Sequence, residues 1–259
     1  MTNGGRAPRV QSVDRALQVL EAVGSHPDGL AAKEVARRLG LTLPTTYHLL
    51  TTLADAGYVA HLPEEHRYAL GNRIRELEVQ LCRQLAVPDG IAIIVRELRD
   101  RADAAAYYAV YRSDEVVVSH VEDSARRPRM TPLGVGFHEA PHATAFGKVM
   151  LAAMAPAARR ALLETLPRLQ LTRRTITDPT MLESHLRHVR DSRVALEIEE
   201  FQPGWACLAS SVHAPGGAVV AAVAVSVPAR EFPMRRWAIE HAVRRSAALA
   251  TRALVDLAG

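Results

Sequence analysis

Apolar residues return every three or four positions near the start of the chain. Val13, Ala16, Leu17, Leu20 and Val23 mark one side of a helix that Ser12 can cap and that Gly24 and Pro27 end. A second, shorter helix covers LAAKEVARRLG, with Leu30, Val35, Ala36 and Leu39 inward and Gly40 as its stop. After a turn through Leu41, Thr42 is placed to cap a third helix. Pro44 is tolerated there because first-turn N–H groups have no intrahelical partner. Thr46, Leu49, Leu50 and Leu53 then follow the spacing of a buried stripe, and Gly57 closes the helix. YVAHL and RYAL, separated by Pro63, Glu64, Glu65 and His66, read as a two-stranded hairpin. Three helices with a tight turn before the third, followed by a ribbon, predict a winged helix-turn-helix over residues 10–71.

Residues 72–86 follow without a flexible spacer and predict an amphipathic connector helix, with Ile74, Leu77, Leu81 and Leu85 along one side. A connector has little local core to cover, so the stripe favours a dimer contact over packing on its own domain. Val87-Pro88 breaks the pattern and opens a second domain over 87–259. A helix from Ile91 to Arg101 leads into the strands AAAYYAVY and EVVVSHV, joined at Ser113-Asp114. Helices are expected over 142–154, 156–165 and 179–191. A hairpin of 205–213 and 218–227 turns at Pro215-Gly216-Gly217, and a long helix runs from Met234 to Leu257. Antiparallel strand pairs with helices between them make an α+β domain.

With its stripe inward, the third predicted helix turns Pro44, Tyr47, His48, Thr51 and Asp55 outward. That face is short, polar and nearly uncharged, whereas an ordinary solvated helix carries charge pairs. Short hydroxyl, imidazole and phenol groups suit the base edges of a major groove, and the helix start offers free N–H groups to a phosphate. Base-edge contacts are therefore assigned to Pro44, Tyr47, His48 and Thr51, and phosphate contacts to Thr42, Thr45, Lys33 and Arg67. Asp55 stands at the far end, where a carboxylate is accepted. Glu64 and Glu65 at the hairpin tip repel phosphates, so the wing supports the contact without anchoring it. A polar face that merely meets water would explain the helices, but it leaves the attached hairpin without a role. RNA is disfavoured, because the segment lacks an array of exposed stacking aromatics.

Composition sets limits on this picture. The 259 residues suffice for a sizeable core, and 48% apolar with 23% charged residues is globular. A net charge of +4 mildly favours an anionic partner, but basic and acidic residues are nearly balanced in both halves. The longest apolar runs, such as 218–225, fall far short of the roughly 20 residues of a membrane helix. Residues 1–10 lack the apolar core of a signal peptide, so a cytoplasmic protein is expected. Cys82 and Cys207 lie far apart and outside any CxxC pair, which argues against a disulfide framework and a zinc site.

Several catalytic signatures fail on inspection. His138-Glu139-Ala140-Pro141-His142 spells HExxH, but Pro141 sits where a continuous helix is required. Gly147-Lys148 lacks the first glycine and the Ser/Thr of a phosphate loop. Gly134-Val135-Gly136 lacks its third glycine, and no GxSxG occurs. Cys207 on an apolar strand reads as packing rather than a nucleophile. Arg126, Arg127 and Arg129 read as a solvated loop that could also draw an anion inward. No catalytic residue, metal or cofactor is expected.

The chain resembles the IclR family of bacterial transcriptional regulators. The likeness is carried by SVDRALQVLEAV, AAKEVARRLGLTLPTTYHLLTTLADAGYV, RYALG, HATAFGKVMLA, TITDPTMLESHLRHVR, EEFQPGWACLAS and GGAVVAAVAVSVP, in order over nearly all of residues 10–258. The resemblance implies a winged helix-turn-helix joined to a GAF-like effector domain, working as a homodimer or a dimer of dimers on palindromic duplex DNA. It also implies an effector pocket with Met130 on its rim, Ala145 and Phe146 at a helix start, Glu197 before the EEF segment, Cys207 on one strand, and Ala224 and Ser226 on the facing one. In relatives that bind small carboxylates, the equivalents of Ala145 and Phe146 offer backbone N–H groups to the anion. Here Glu197 replaces a common aspartate and Ala224 a common serine, while Trp205 and Phe146 add bulk. The expected effector is an organic acid or aromatic metabolite, with a less polar, ring-bearing ligand favoured. His48 replaces a frequent arginine and Pro44 a frequent serine, so no operator sequence carries over. Repressor and activator both remain open. The rival reading is an enzyme or metabolite carrier built on the second domain, with the first as an interaction module.

Overall fold

The computed structural model describes residues 10–112, 115–165 and 168–257. They fall into two compact units with the boundary between Arg83 and Gln84.

The first unit contains α1 (Gln11–Gly24), α2 (Ala32–Leu39), α3 (Leu43–Asp55), β1 (Val59–Leu62), β2 (Arg67–Leu70) and nearly all of α4 (Asn72–Gln84). Ser12 does not cap α1. Val10 takes that position without a side-chain cap, and its carbonyl accepts the amides of Val13 and Asp14 at 3.0 and 3.1 Å. Nor does the predicted stripe of α1 pack along its whole length. Val19 and Val23 are buried while Val13 and Leu17 are exposed, because only the C-terminal half of the helix reaches the core of Leu30, Val35, Leu50 and Val59.

At the α2–α3 turn Gly40 adopts φ 63°, the left-handed cap that a side chain resists. The Thr42 hydroxyl accepts the Thr45 amide at 3.3 Å, as a helix cap should. Thr46 is fully buried, and its hydroxyl is satisfied by donating to the Thr42 carbonyl at 3.0 Å. β1 and β2 pair antiparallel from Val59↔Leu70 to Leu62↔Arg67, and Leu30 bridges to Tyr68 as a short third member. α4 buries none of its side chains, and Leu77 and Leu81 are exposed.

The second unit contains α5 (Asp89–Ala102), β3 (Ala105–Arg112), β4 (Glu115–Glu122), α6 (Ala145–Ala153), α7 (Pro156–Thr165), α8 (Pro179–Ser192), β5 (Val194–Ile198), β6 (Trp205–His213), β7 (Val219–Pro228) and α9 (Phe232–Asp256). Its five strands run in the order β4-β3-β7-β6-β5, every pair antiparallel. The β3–β4 turn expected at Ser113-Asp114 lies outside the described residues. Alternation divides the sheet's side chains between two layers. Ala106, Tyr108, Leu208, Val223 and Val225 pack with α5 and α9, while Ala105, Tyr107, Cys207, Ala222 and Ala224 pack with α6 and α8. With both faces covered, the strands read as continuous apolar runs. β5 is too short for its alternation to stand out, and the sequence pattern gave no strand there. α6 begins at Ala145 instead of 142, because the Ala143 and Thr144 amides turn back onto the Ala140 carbonyl.

Candidate DNA-recognition and effector sites

The outward face of α3 is as the spacing predicts. Pro44, Tyr47, His48, Thr51 and Asp55 are exposed, Tyr47 to 45% of its surface. Thr45 is half-buried, and its hydroxyl shares a 2.8 Å hydrogen bond with that of Thr42 at the helix start. Lys33 is exposed in the first turn of α2. Arg67 is more committed than expected: its Nη1 donates to the Gly29 carbonyl at 3.1 Å, bracing the loop before α2. Gly29 packs so tightly on the wing that a Cβ there would lie 2.3 Å from the Tyr68 carbonyl oxygen. The wing and the α1–α2 loop therefore hold each other, and the rest of the Arg67 guanidinium remains for a phosphate.

In the second unit all seven expected effector residues are buried. Met130, expected on a rim, is only 1% exposed. The register explains how segments far apart in sequence meet. Ala105, Ser226, Cys207 and Glu197 are successive cross-strand partners, and the row beside them is Tyr107, Ala224, Ala209 and Ala195. Tyr107 shares a hydrogen bond with Ser226 at 2.8 Å, and its oxygen accepts the Met130 amide at 3.1 Å. Ala145 and Phe146 open α6, whose start has no side-chain cap, so its first-turn amides remain for an anion. The Phe137 ring meets Phe146 edge-on at 6.3 Å and Phe201 at 5.5 Å.

The buried charges follow from the same packing. Glu197 Oε2 accepts the amides of Glu200 and Phe201 at 2.9 and 3.4 Å, and Oε1 has no partner among the described residues. Burial raises the Glu197 pKa to about 7, against the pull of the Cys207 thiol, these amides and Lys148. Burial and the neighbouring Glu197 push Cys207 well up, so the thiol stays protonated and is a poor nucleophile. Lys148 is fully buried with Nζ 2.5 Å from Glu200 Oε1; burial lowers its pKa while Glu200 and Glu197 oppose the shift. Burial also lowers His185 to about 4, with Lys148 adding to the effect.

These shifts have opposite consequences for stability. Folded Glu197 holds its proton more tightly than the unfolded group at 4.5, so its burial costs stability as pH rises from 4.5 to about 7. Folded His185 resists its proton, so stability is lost as pH falls from 6.5 towards 4. Glu197→Gln isolates the first effect. It is expected to raise stability at pH 8 by about 1–3 kcal/mol and to change little at pH 4.5. Thermal melts at the two pH values check this, and equal shifts at both would contradict it.

Residues 138–142 form loop and turn, not helix, and no cluster of three or more His, Cys, Asp or Glu suited to a metal occurs among the described residues. Arg127 pairs with Asp103 and Glu231, Arg126 with Asp103 and Arg129 with Asp123, so that cluster is spent on local pairs. Sequence reasoning missed Tyr107, Phe137, Lys148, Glu200 and Phe201. The EEF run placed Glu200 and Phe201 near Glu197, but nothing in sequence pairs Glu200 with Lys148.

Comparison with known proteins follows the same division. The model of the IclR helix-turn-helix domain matches residues 12–63, and that of the bacterial transcriptional regulator IclR C-terminal domain matches residues 80–251. The chain is similar to the glycerol operon regulatory protein of Streptomyces griseus, at 32% identity over 86% of each chain. Its fold resembles a transcriptional regulator from Rhodococcus sp. RHA1, with TM-score 0.74, 25% identity, and coverage of 95% of this chain and 98% of that one. It also resembles an IclR homolog from Microbacterium hydrocarbonoxydans complexed with 4-hydroxybenzoate, with TM-score 0.70, 20% identity, and coverage of 94% and 98%.

Proposed function

Because this chain belongs to the IclR family of bacterial transcriptional regulators, whose helix-turn-helix binds DNA and whose C-terminal domain binds an effector, we propose how its own residues divide that work. Pro44, Tyr47, His48 and Thr51 read base edges, while Lys33, Thr42, Thr45 and Arg67 hold phosphates of a palindromic operator. The observation that carries this assignment is the exposed, nearly uncharged face of α3, which follows a Thr42-capped first turn and lies opposite the buried Thr46 and Leu50. The protein acts in the cytoplasm as a homodimer or a dimer of dimers. The exposed Leu77 and Leu81 of α4 fit such a contact. It performs no catalysis, which agrees with the protonated Cys207 thiol.

The effector is a small organic acid bearing a ring. Its carboxylate sits on the Ala145 and Phe146 amides, and its ring lies against Phe146 and Phe137. Met130, Cys207, Ala224 and Ser226 close the sides, and protonated Glu197 donates to it. Bound and free forms differ in dimer geometry, and operator affinity changes with them. Support comes from the three-ring series and from the 4-hydroxybenzoate carried by the Microbacterium relative. Tryptophan fluorescence and footprinting of DNA flanking the gene test both halves. Benzoate and 4-hydroxybenzoate are expected to bind more tightly than pyruvate, and more weakly as pH rises past about 7, where Glu197 ionises. They should also alter protection of an inverted repeat. Tighter binding of pyruvate would overturn the ring assignment, and protection without any inverted repeat would overturn the operator assignment.

A further inference from the structure

A groove of ≈590 Å³ separates α7 from α8, lined in part by Arg160, Leu163 and Glu164 of α7, Arg168, and Glu183 and Arg187 of α8. None of these belongs to the effector residues described above. The volume suits a metabolite. Its charge balance is unusual. Glu183 is already neutralised by Arg159, a buried arginine whose Nε lies 3.1 Å from Glu183 Oε2 and whose Nη2 contacts Oε1. Arg168 is fixed in orientation by donating through Nε to the Thr177 carbonyl at 3.2 Å and through Nη1 to that of Leu163 at 2.7 Å, which leaves Nη2 open. Arg160 and Arg187 have no ion pair or hydrogen bond among the described residues. Three guanidinium groups thus face one uncompensated carboxylate, Glu164. The first turn of α8, Pro179 and Thr180, also lines the groove, but Asp178 already caps that helix end by accepting the Met181 amide at 2.8 Å, so the charge preference of the groove rests on the three arginines.

We propose that this groove is a second ligand site, for a small multivalent anion such as a phosphorylated or polycarboxylate metabolite. Arginine forks match phosphate and carboxylate oxygens in pairs, and three around one cavity fit a group of two or more charges better than a monocarboxylate. Leu163 supplies an apolar wall for a carbon skeleton. The site also has a route to the rest of the domain. Arg159 Nη1 donates to the Leu151 and Met154 carbonyls at the end of α6, the helix whose start carries Ala145 and Phe146. Occupancy therefore bears on the same helix that opens the effector site, without sharing its residues.

Titration calorimetry on the full chain tests this with inorganic phosphate, glycerol 3-phosphate and citrate, ionic strength being held constant with sodium chloride. Saturable binding of at least one of these is expected. Arg160→Ala with Arg187→Ala should weaken it about tenfold or more. Glu164→Gln should tighten it several-fold, a gain that a misfolded protein cannot produce. Glu197→Gln should leave it unchanged, which separates this groove from the effector site. A preference for glycerol 3-phosphate or for citrate assigns the anion to phosphoryl or carboxylate chemistry. No saturable binding with any of the three, or affinity unaltered by both the double arginine change and Glu164→Gln, would overturn the proposal.

Discussion

Replacing His48 and Thr51 together by alanine is expected to lower affinity for the specific operator about 30- to 1000-fold, at fixed salt. The figure corresponds to roughly 2–4 kcal/mol, two base-edge contacts at the modest end of their range. Both side chains are exposed on α3 and neither supports the core formed by Thr46 and Leu50, so folding should be untouched. Binding to non-specific duplex should change little, because the phosphate contacts proposed for Lys33, Arg67 and the α3 start are left in place. The informative quantity is the ratio of the two affinities, read by competition at one salt concentration. A double variant that keeps this ratio would place base recognition elsewhere. A variant that loses both affinities equally would show that these residues hold phosphate.

The second large effect is on stability. Lys148→Leu removes the cation paired with Glu200, whose side chain is just 10% exposed and whose Oε2 already lacks a partner among the described residues. Leaving a buried carboxylate uncompensated costs about 3–5 kcal/mol. Thermal melts should therefore fall by roughly 6–20 °C for a domain of this size. Lys148→Leu combined with Glu200→Leu should recover most of the loss, since a buried pair is often replaceable by apolar groups of similar size. If the double variant is no more stable than the single one, Lys148 supports the fold through packing of its stem and not through its charge.

The two units differ in how openly their sequences announced them. In the first, the helix ends, the Thr42 cap, the inward stripe of α3 and the wing all follow from spacing and turn chemistry, which act within a dozen residues. The errors there concern Ser12, which gave way to the Val10 carbonyl, and Val13 and Leu17, which lie beyond the reach of a small core. In the second unit the sheet is covered on both faces, so inward and outward strand positions are both apolar and alternation disappears. Tyr107 and Tyr108 are neighbours in an unbroken run, yet one meets Ser226 in the effector layer and the other packs under α5 and α9.

The sequence by itself determined the local order of this protein. It specified a winged helix-turn-helix, a connector helix, an α+β domain, and an exposed, nearly uncharged face on α3, because those depend on short-range periodicity and caps. Tertiary structure alone decided which distant residues share a site. Strand register aligns Ser226, Cys207 and Glu197 in one row, and folding carries Lys148 onto Glu200, 52 positions away. Register and buried charge pairing are set by packing across the whole sheet, where no local pattern reaches.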